Sequence, residues 1–384
     1  MKNLRPRFLV PVVLWAILIT APGWYVVAAG EEEASVPVQF QQNKDIFLNL
    51  YPEGYRSAAV LAGVGIDGES NLYPLKRLIF LLANHGLRGT FFVFPGETFQ
   101  EKVTSNPEDM ERLPRLDSHN FEIAQNGPPP GDWERFEASA GSPKDIVSQR
   151  IDKIKENRDF LISLNLEPLG YRGYAQDQAG PILSSLDEMG YLYFCRINEC
   201  SGTDRIVRSF PPASPEKTYL YPRHAAGLEI LEFHALLDPT VDQEKARLSF
   251  EEISRQSGVF VFRLYLPGLL DKKNLGRLKE FIEYLKKRYT WICSLRQLSS
   301  WWLAREKVRI VTSREDNIMV IVYDNPTRFP LENARLVFKD QPDRASFYRV
   351  EDREGIMTSQ GVIPAGGYIN VTLFPVEPGS RKED

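Results

Sequence analysis

Four polar residues stand where apolar, strand-like runs end, and their types suit hydrolysis or ligand binding. Asp67 follows Ala59–Ile66, Asn126 follows Phe121–Ala124, Arg172 follows Leu169–Tyr171 and His234 follows Glu229–Phe233. A carboxylate can act as a base or metal ligand, a guanidinium can hold an anion, and an imidazole can move a proton near neutral pH. Asp67, Arg172 and His234 are therefore the catalytic candidates. Glu69, Asn126, Tyr174 and Tyr221 are candidates for substrate binding, the tyrosines because an aromatic face can stack on a sugar. Each has a plainer alternative. Asp67 can cap the helix that follows it, and Arg172 can pair with Asp67 or Glu69. His234 can be structural, and Tyr221 can pack within its Pro/Tyr-rich loop. His85 and His119 fall in helix-end and loop contexts, and the chain has four histidines in all. No spacing of histidine or cysteine forms a zinc knuckle.

The elements that must position these residues alternate. From Ala58 onward, apolar strands alternate with amphipathic helices, the pattern of an α/β domain with parallel strands. Strands are expected at Ala59–Ile66, Thr90–Phe94, Phe121–Ala124, Leu169–Tyr171, Tyr191–Phe194, Glu229–Phe233, Val259–Phe262 and around Trp291. Helices are expected over Tyr73–His85, from Ser142 to about Leu164, Asp242–Gln256 and Leu275–Lys287, with a closing helix that carries Trp301 and Trp302. Ser142, Pro143 and Asp145 form an N-terminal stop signal of the capping type. About eight such strands suggest a closed barrel, in which residues at strand C-terminal ends line the binding end.

Beyond Lys307 the period changes to that of short strands separated by turns, and a small all-β, sandwich-like domain is expected over residues 307–376. The expected organisation is a signal peptide at 1–29, a polar lead-in at 30–54, the barrel at 55–306, the β domain, and a tail at 377–384.

Composition narrows the partners. Lys2, Arg5 and Arg7 precede an apolar run that closes on Val27-Ala28-Ala29, and Glu31, Glu32 and Glu33 follow. That is the layout of an exported chain's signal peptide; the alternative is an uncleaved N-terminal anchor. Removing residues 1–29 deletes three positive charges and no negative one, taking the formal charge from -4 to -7. An acidic mature chain without a Lys/Arg block excludes nucleic acid and anionic lipid as obvious partners. The expected location is periplasmic, secreted or cell-surface. Cys195 and Cys200 are near enough to form a short disulfide loop there, and Cys293 reads as a buried thiol.

Several motifs now fall in order. Ala58–Phe94 resembles the start of the polysaccharide deacetylase (NodB-homology, carbohydrate esterase family 4-like) family, where a strand ends in T-F-D-D-G and the next strand reads T-F-F. Thr90-Phe91-Phe92-Val93 matches the second, and Gly65-Ile66-Asp67-Gly68 stands at the first. Gly170-Tyr171-Arg172-Gly173-Tyr174 resembles the R-x-P-x-G strand end, and Met189-Gly190-Tyr191-Leu192-Tyr193 the G-Y strand after it. The resemblance spans about residues 50–305 and implies a deformed (β/α) barrel. It also implies a deacetylase chemistry in which one aspartate and two histidines hold zinc, a second aspartate is the base and a late histidine the acid.

Against that pattern this chain is depleted. Asp67 stands at the metal-ligand position and Ile66 at that of the base. In Phe121-Glu122-Ile123-Ala124-Gln125-Asn126-Gly127-Pro128-Pro129-Pro130, Asn126 and Pro130 replace the two ligand histidines. Leu266 stands before Pro267, where many members carry histidine. Arg172, which orients the base in the family, is retained. The reading is an exported, inactive deacetylase-like barrel that binds a polysaccharide or other glycan and needs no cofactor. The alternative is a working carbohydrate N- or O-deacetylase with a relocated site at Asp67, Glu69, Arg172 and His234, in which case zinc is involved. A third option makes the β domain the functional part. Mass measurement of the exported protein should place its first residue near Gly30; an intact Met1 in that fraction would mean an anchor instead.

Overall fold

The fold was analysed in a computed structural model. It describes residues 15–17, 26–28, 41–42, 46–66, 73–105, 115, 121–128, 142–173, 180–197, 221–236, 238–315, 318–334, 336–338, 348–352, 355–357, 361–363 and 367–375. Among them no helix is long and apolar enough to cross a membrane. Within the apolar N-terminal run, Trp15–Ile17 and Val26–Ala28 pair antiparallel.

The barrel begins with β1 (Ser57–Ile66), a ten-residue strand whose apolar residues are buried on both faces. Helix α1 (Tyr73–Asn84), β2 (Thr90–Val93), α2 (Glu97–Ser105) and β3 (Glu122–Asn126) follow. Next come α3 (Pro143–Ser163), β4 (Gly170–Gly173), α4 (Gly180–Glu188), β5 (Tyr193–Ile197) and β6 (Leu231–Leu236). The domain ends with α5 (Gln243–Arg255), β7 (Val259–Tyr265), α6 (Lys272–Lys286), β8 (Thr290–Cys293) and α7 (Leu295–Lys307). The capping signal at Ser142 works as its sequence suggests: the Ser142 side chain accepts from the Asp145 amide at 3.3 Å.

Strand pairing runs β6-β7-β1-β2-β3-β4-β5 and returns from β5 to β6, all parallel. Seven strands thus close a ring, and the expected barrel is present. The eighth strand does not enter the ring in its own right. β8 pairs with Ser57–Val60 of β1, while β2 pairs with the later half, from Ala62 to Ile66. A ten-residue strand offers one edge long enough for both.

Alternation along β1 explains the two-faced burial. Ala58, Val60, Ala62 and Val64 face the inner cluster with Phe92, Ala124, Tyr193, Leu231 and Phe233. Ala59 and Leu61 face the outer cluster, packed on Leu78 of α1, Leu161 of α3, Phe250 of α5 and Phe281 of α6. The thiol of Cys293 is buried, as its apolar context suggests, and burial pushes its pKa up. Cys195 is also buried, and the suggested bridge from it to Cys200 lies outside the described residues.

The end of the barrel opposite its mouth is closed by α7. Leu295, Leu298, Trp302 and Leu303 belong to the inner cluster. The start of this helix is fixed by a buried carboxylate: Arg296 N donates to Glu122 Oε2 at 2.8 Å, and Leu295 N donates to Thr90 Oγ1 at 2.8 Å. Thr90 Oγ1 and Tyr193 Oη donate in turn to the two oxygens of Glu122, at 2.7 and 2.8 Å. A carboxylate suits the positive end of a helix, and three donors around one buried charge offset its desolvation.

The other face of α7 carries the β domain. Trp301 and Ala304 pack with Leu48, Ile310, Ile321, Tyr323, Leu331 and Ala334. The domain contains β9 (Arg309–Glu315), β10 (Ile318–Asn325), β11 (Leu331–Ala334), β12 (Leu336–Phe338), β13 (Tyr348–Asp352), β14 (Gly355–Met357), β15 (Gly361–Ile363) and β16 (Gly367–Pro375). The lead-in also contributes: Gln41–Gln42 pairs with β9, and Ile46–Leu48 pairs with β12. A six-stranded antiparallel sheet, β14-β13-β16-β10-β9 plus Gln41–Gln42, is accompanied by two small pairs.

Glu122→Ala should cost about 3 kcal/mol, because one amide and two hydroxyls lose a shared acceptor. The expected pH behaviour has a defined sign. Burial raises the Glu122 pKa, against the lowering effect of its hydrogen bonds. Between the ordinary and the raised value, the native state binds more protons than the unfolded chain, so stability falls as pH rises there. Glu122→Gln should remove that slope, read from urea midpoints across about pH 4–8.

Candidate functional site

The barrel mouth is formed by the C-terminal ends of β1–β7, and its described polar centre is Asn126 with Arg172. The two residues are paired in register on β3 and β4, and the Gly127 amide donates to the Arg172 carbonyl at 2.7 Å. Arg172 Nη1 donates to Asn126 Oδ1 at 2.8 Å, and its guanidinium carbon lies 5.9 Å from the centre of the Phe92 ring. Phe92 belongs to the inner cluster, so the guanidinium is directed into the barrel. Arg172 is only 6% exposed, which makes a neutralising or hydrogen-bonding neighbour necessary. The Asn126 amide oxygen serves as one.

Adjacent Gln125 points the other way. It accepts from Tyr191 Oη at 2.5 Å and donates to the Ile154 carbonyl at 3.1 Å, tying β3 to α3. This alternation is what leaves Asn126 on the mouth side.

At the end of β1 the backbone departs from regular alternation. Gly65 has φ +85°, a conformation that favours glycine, and the β1–β2 register shifts between Gly63 and Ile66. The irregularity turns Ile66 outward: it is 3% exposed and sits in the outer cluster. The residue at the base position is therefore apolar and also faces away from the mouth.

Leu266, at the late-histidine position, is equally buried in the outer cluster.

Asp67, Glu69, Tyr174 and Pro130 lie outside the described residues. His234 lies on β6 with its backbone paired to Arg196 of β5, on a strand whose Leu231 and Phe233 face the interior. Tyr221 is at the wrong end for a shared site. Its hydroxyl donates to the Gln256 carbonyl at 2.5 Å, and its ring stacks on Trp302 at 5.8 Å. Gln256 caps the C-terminus of α5, just before β7 begins, and so belongs to the end closed by α7. Tyr221 packs at that closed end, against residues outside its own loop.

Two residues escaped the sequence reading. Glu122 stands in the strand motif but was not singled out, because a lone acid beginning a strand gives no sign of its three donors. Tyr265, the last residue of β7, is 54% exposed at the mouth.

The described residues do not fit a catalytic zinc. A guanidinium already donates to the oxygen of Asn126 that would have to face the cation, and it would repel a divalent ion there. Among the described residues no group of three or more His, Cys, Asp or Glu is placed to hold a metal.

No family model matches the sequence, and no curated protein matches it. Solved structures similar to this chain include a Mycobacterium smegmatis protein assigned as a polysaccharide deacetylase. It is 15% identical, with 68% of this chain and 94% of that one covered and a TM-score of 0.44. Another is an allantoinase, 15% identical over 66% and 92% of the two chains, TM-score 0.47. A third is a CE4 family pseudoenzyme of Bacillus anthracis, 10% identical over 66% and 68%, TM-score 0.37. The barrel is of the polysaccharide deacetylase type. Its closed parallel ring and the order of its strand motifs carry that assignment.

Because Ile66 is enclosed by apolar neighbours, Ile66→Asp should destabilise this deacetylase-type barrel by about 3–5 kcal/mol. Denaturant unfolding monitored by tryptophan fluorescence measures it. A variant as stable as the wild type would mean that position 66 opens to the mouth.

Proposed function

We propose that this chain is an exported protein whose deacetylase-type barrel binds a polysaccharide without hydrolysing it. One observation carries the reading: Arg172 donates to Asn126 at the position where the family resemblance calls for a metal-binding histidine. A barrel mouth arranged this way offers amide and guanidinium donors suited to sugar hydroxyls, not ligands for a cation. The outward placement of Ile66 supports it further, since no proton acceptor can be supplied from that position. Export rests on the N-terminal sequence, where a basic start and an apolar run precede Val27-Ala28-Ala29.

General acid–base transfer typically contributes about 10²–10⁴-fold in rate, and a Lewis-acid metal contributes beyond that. With neither base nor ligand set in place, acetate release from N-acetyl and O-acetyl sugar oligomers should match buffer for wild type, Asp67→Asn and His234→Ala alike. Protein dialysed against metal-free buffer should hold far less than one zinc per chain by elemental analysis. Wild-type turnover abolished by Asp67→Asn, with stoichiometric zinc, would establish the working deacetylase instead.

A further inference from the structure

Exposed aromatic rings on a folded protein need a reason when they are held in place, and Tyr265 is held. It ends β7, where Val259 and Val261 face the inner cluster and Phe260, Phe262 and Leu264 face the outer one. By this alternation Tyr265 falls on the inward set, at the level of the mouth. It is paired in register with Val64 of β1, itself an inner-cluster residue.

The ring rests on Gly65: a Cβ added there would lie 3.1 Å from Tyr265 Cε2 and 3.1 Å from Pro267 Cδ. The left-handed glycine therefore makes room for this ring as well as for the turn of β1. The Tyr265 backbone amide donates to Asp238 Oδ2 at 3.0 Å, while Asp238 Oδ1 accepts from the Thr240 amide and hydroxyl at 2.8 and 2.6 Å. The strand end is thus fixed by a carboxylate from the β6–α5 connection. Yet more than half of the tyrosine remains open to solvent.

A second exposed tyrosine, Tyr73 at 53%, begins α1 beside the turn Leu266–Leu270 that follows Tyr265. Arg77 links that helix to the turn by donating to the Leu270 carbonyl at 2.7 Å, and its guanidinium lies 5.9 Å from the Tyr73 ring centre.

We infer that Tyr265 is a preformed stacking platform for one pyranose ring of the bound glycan, with Asn126 and Arg172 reading hydroxyls in the same mouth. This rests on the glycan-binding reading above and assigns to Tyr265 the stacking role that Tyr221 cannot fill. A pyranose presents an apolar C–H face beneath a rim of hydroxyls, and an immobilised aromatic ring takes the former at little ordering cost. The polar pair at the same end of the barrel gives a sugar's hydroxyl rim hydrogen-bonding neighbours.

Calorimetric titration of the full mature chain with the hexamers of N-acetylglucosamine and of glucose tests this. Wild type should bind at least one of them. Tyr265→Ala should weaken that binding roughly tenfold or more with an unchanged melting temperature, because the side chain is exposed. Tyr265→Trp should retain binding, and its added indole should change emission as sugar is titrated. Binding by Tyr265→Ala equal to wild type, or no emission change in Tyr265→Trp at saturating sugar, overturns the platform and leaves glycan binding intact. A wild type that binds neither hexamer overturns both.

Discussion

The fold depends on the buried carboxylate of Glu122. Its oxygens collect donors from Thr90 of β2, Tyr193 of β5 and the first turn of α7, so one side chain joins three strands to the helix that closes the barrel. The neighbouring strand is shaped around it. A Cβ at Gly170, the first residue of β4, would lie 1.8 Å from Tyr193 Cζ, so only glycine lets that phenol reach Glu122. A capping box between Ser294 and Gln297 completes the start of α7. The helix direction is thereby set, and with it the positions of Trp302 on the inner side and Trp301 on the outer. The β domain packs on the latter, so its placement follows from the same carboxylate.

Closing one end of a barrel leaves one end for ligands. Around α7 the side chains are consumed by packing: Tyr51 donates to the Ser257 carbonyl at 2.6 Å, Tyr221 stacks on Trp302, and Trp301 Nε1 donates to the Leu50 carbonyl at 2.9 Å. At the opposite end lie the Arg172–Asn126 pair and the exposed ring of Tyr265. The division matches the general behaviour of β/α barrels, in which one face supplies stability and the other chemistry. Position in the barrel, more than residue type, separates Tyr221 from Tyr265.

Much of this was legible in the sequence, because the strands are apolar on both faces and the helices carry clear stops. Ser142-Pro143 opens α3 where the capping pattern placed it, and the seven ring strands begin or end within a few residues of their apolar runs. Three features were not legible. The lead-in reads as polar chain, yet Gln41–Gln42 and Ile46–Leu48 become strands, because pairing partners more than 250 residues away decide the matter. The outward turn of Ile66 depends on a bulge at Gly65, and a glycine within an apolar run does not announce its φ. The packing of Tyr221 and the exposure of Tyr265 were not legible, because a loop tyrosine and a strand-end tyrosine cannot be ranked for exposure before the barrel ends are known.

The Arg172–Asn126 pair is where the described residues depart most clearly from the pattern of the family that the motifs resemble. In the family that the motifs resemble, this arginine orients a base aspartate, and a nearly buried guanidinium left without an acceptor would be costly. Here the residue in that aspartate's place is an isoleucine, whose side chain packs outward and strengthens the outer core. Asn126 supplies one acceptor for it across one strand pair, in register, without a charge of its own. A histidine at 126 would instead be a second potential cation beside Arg172, favourable only while a carboxylate or another anion balanced the site. Replacement of the base and replacement of the ligand are therefore coupled by electrostatics: once the aspartate is gone, a neutral acceptor is the better neighbour for the arginine.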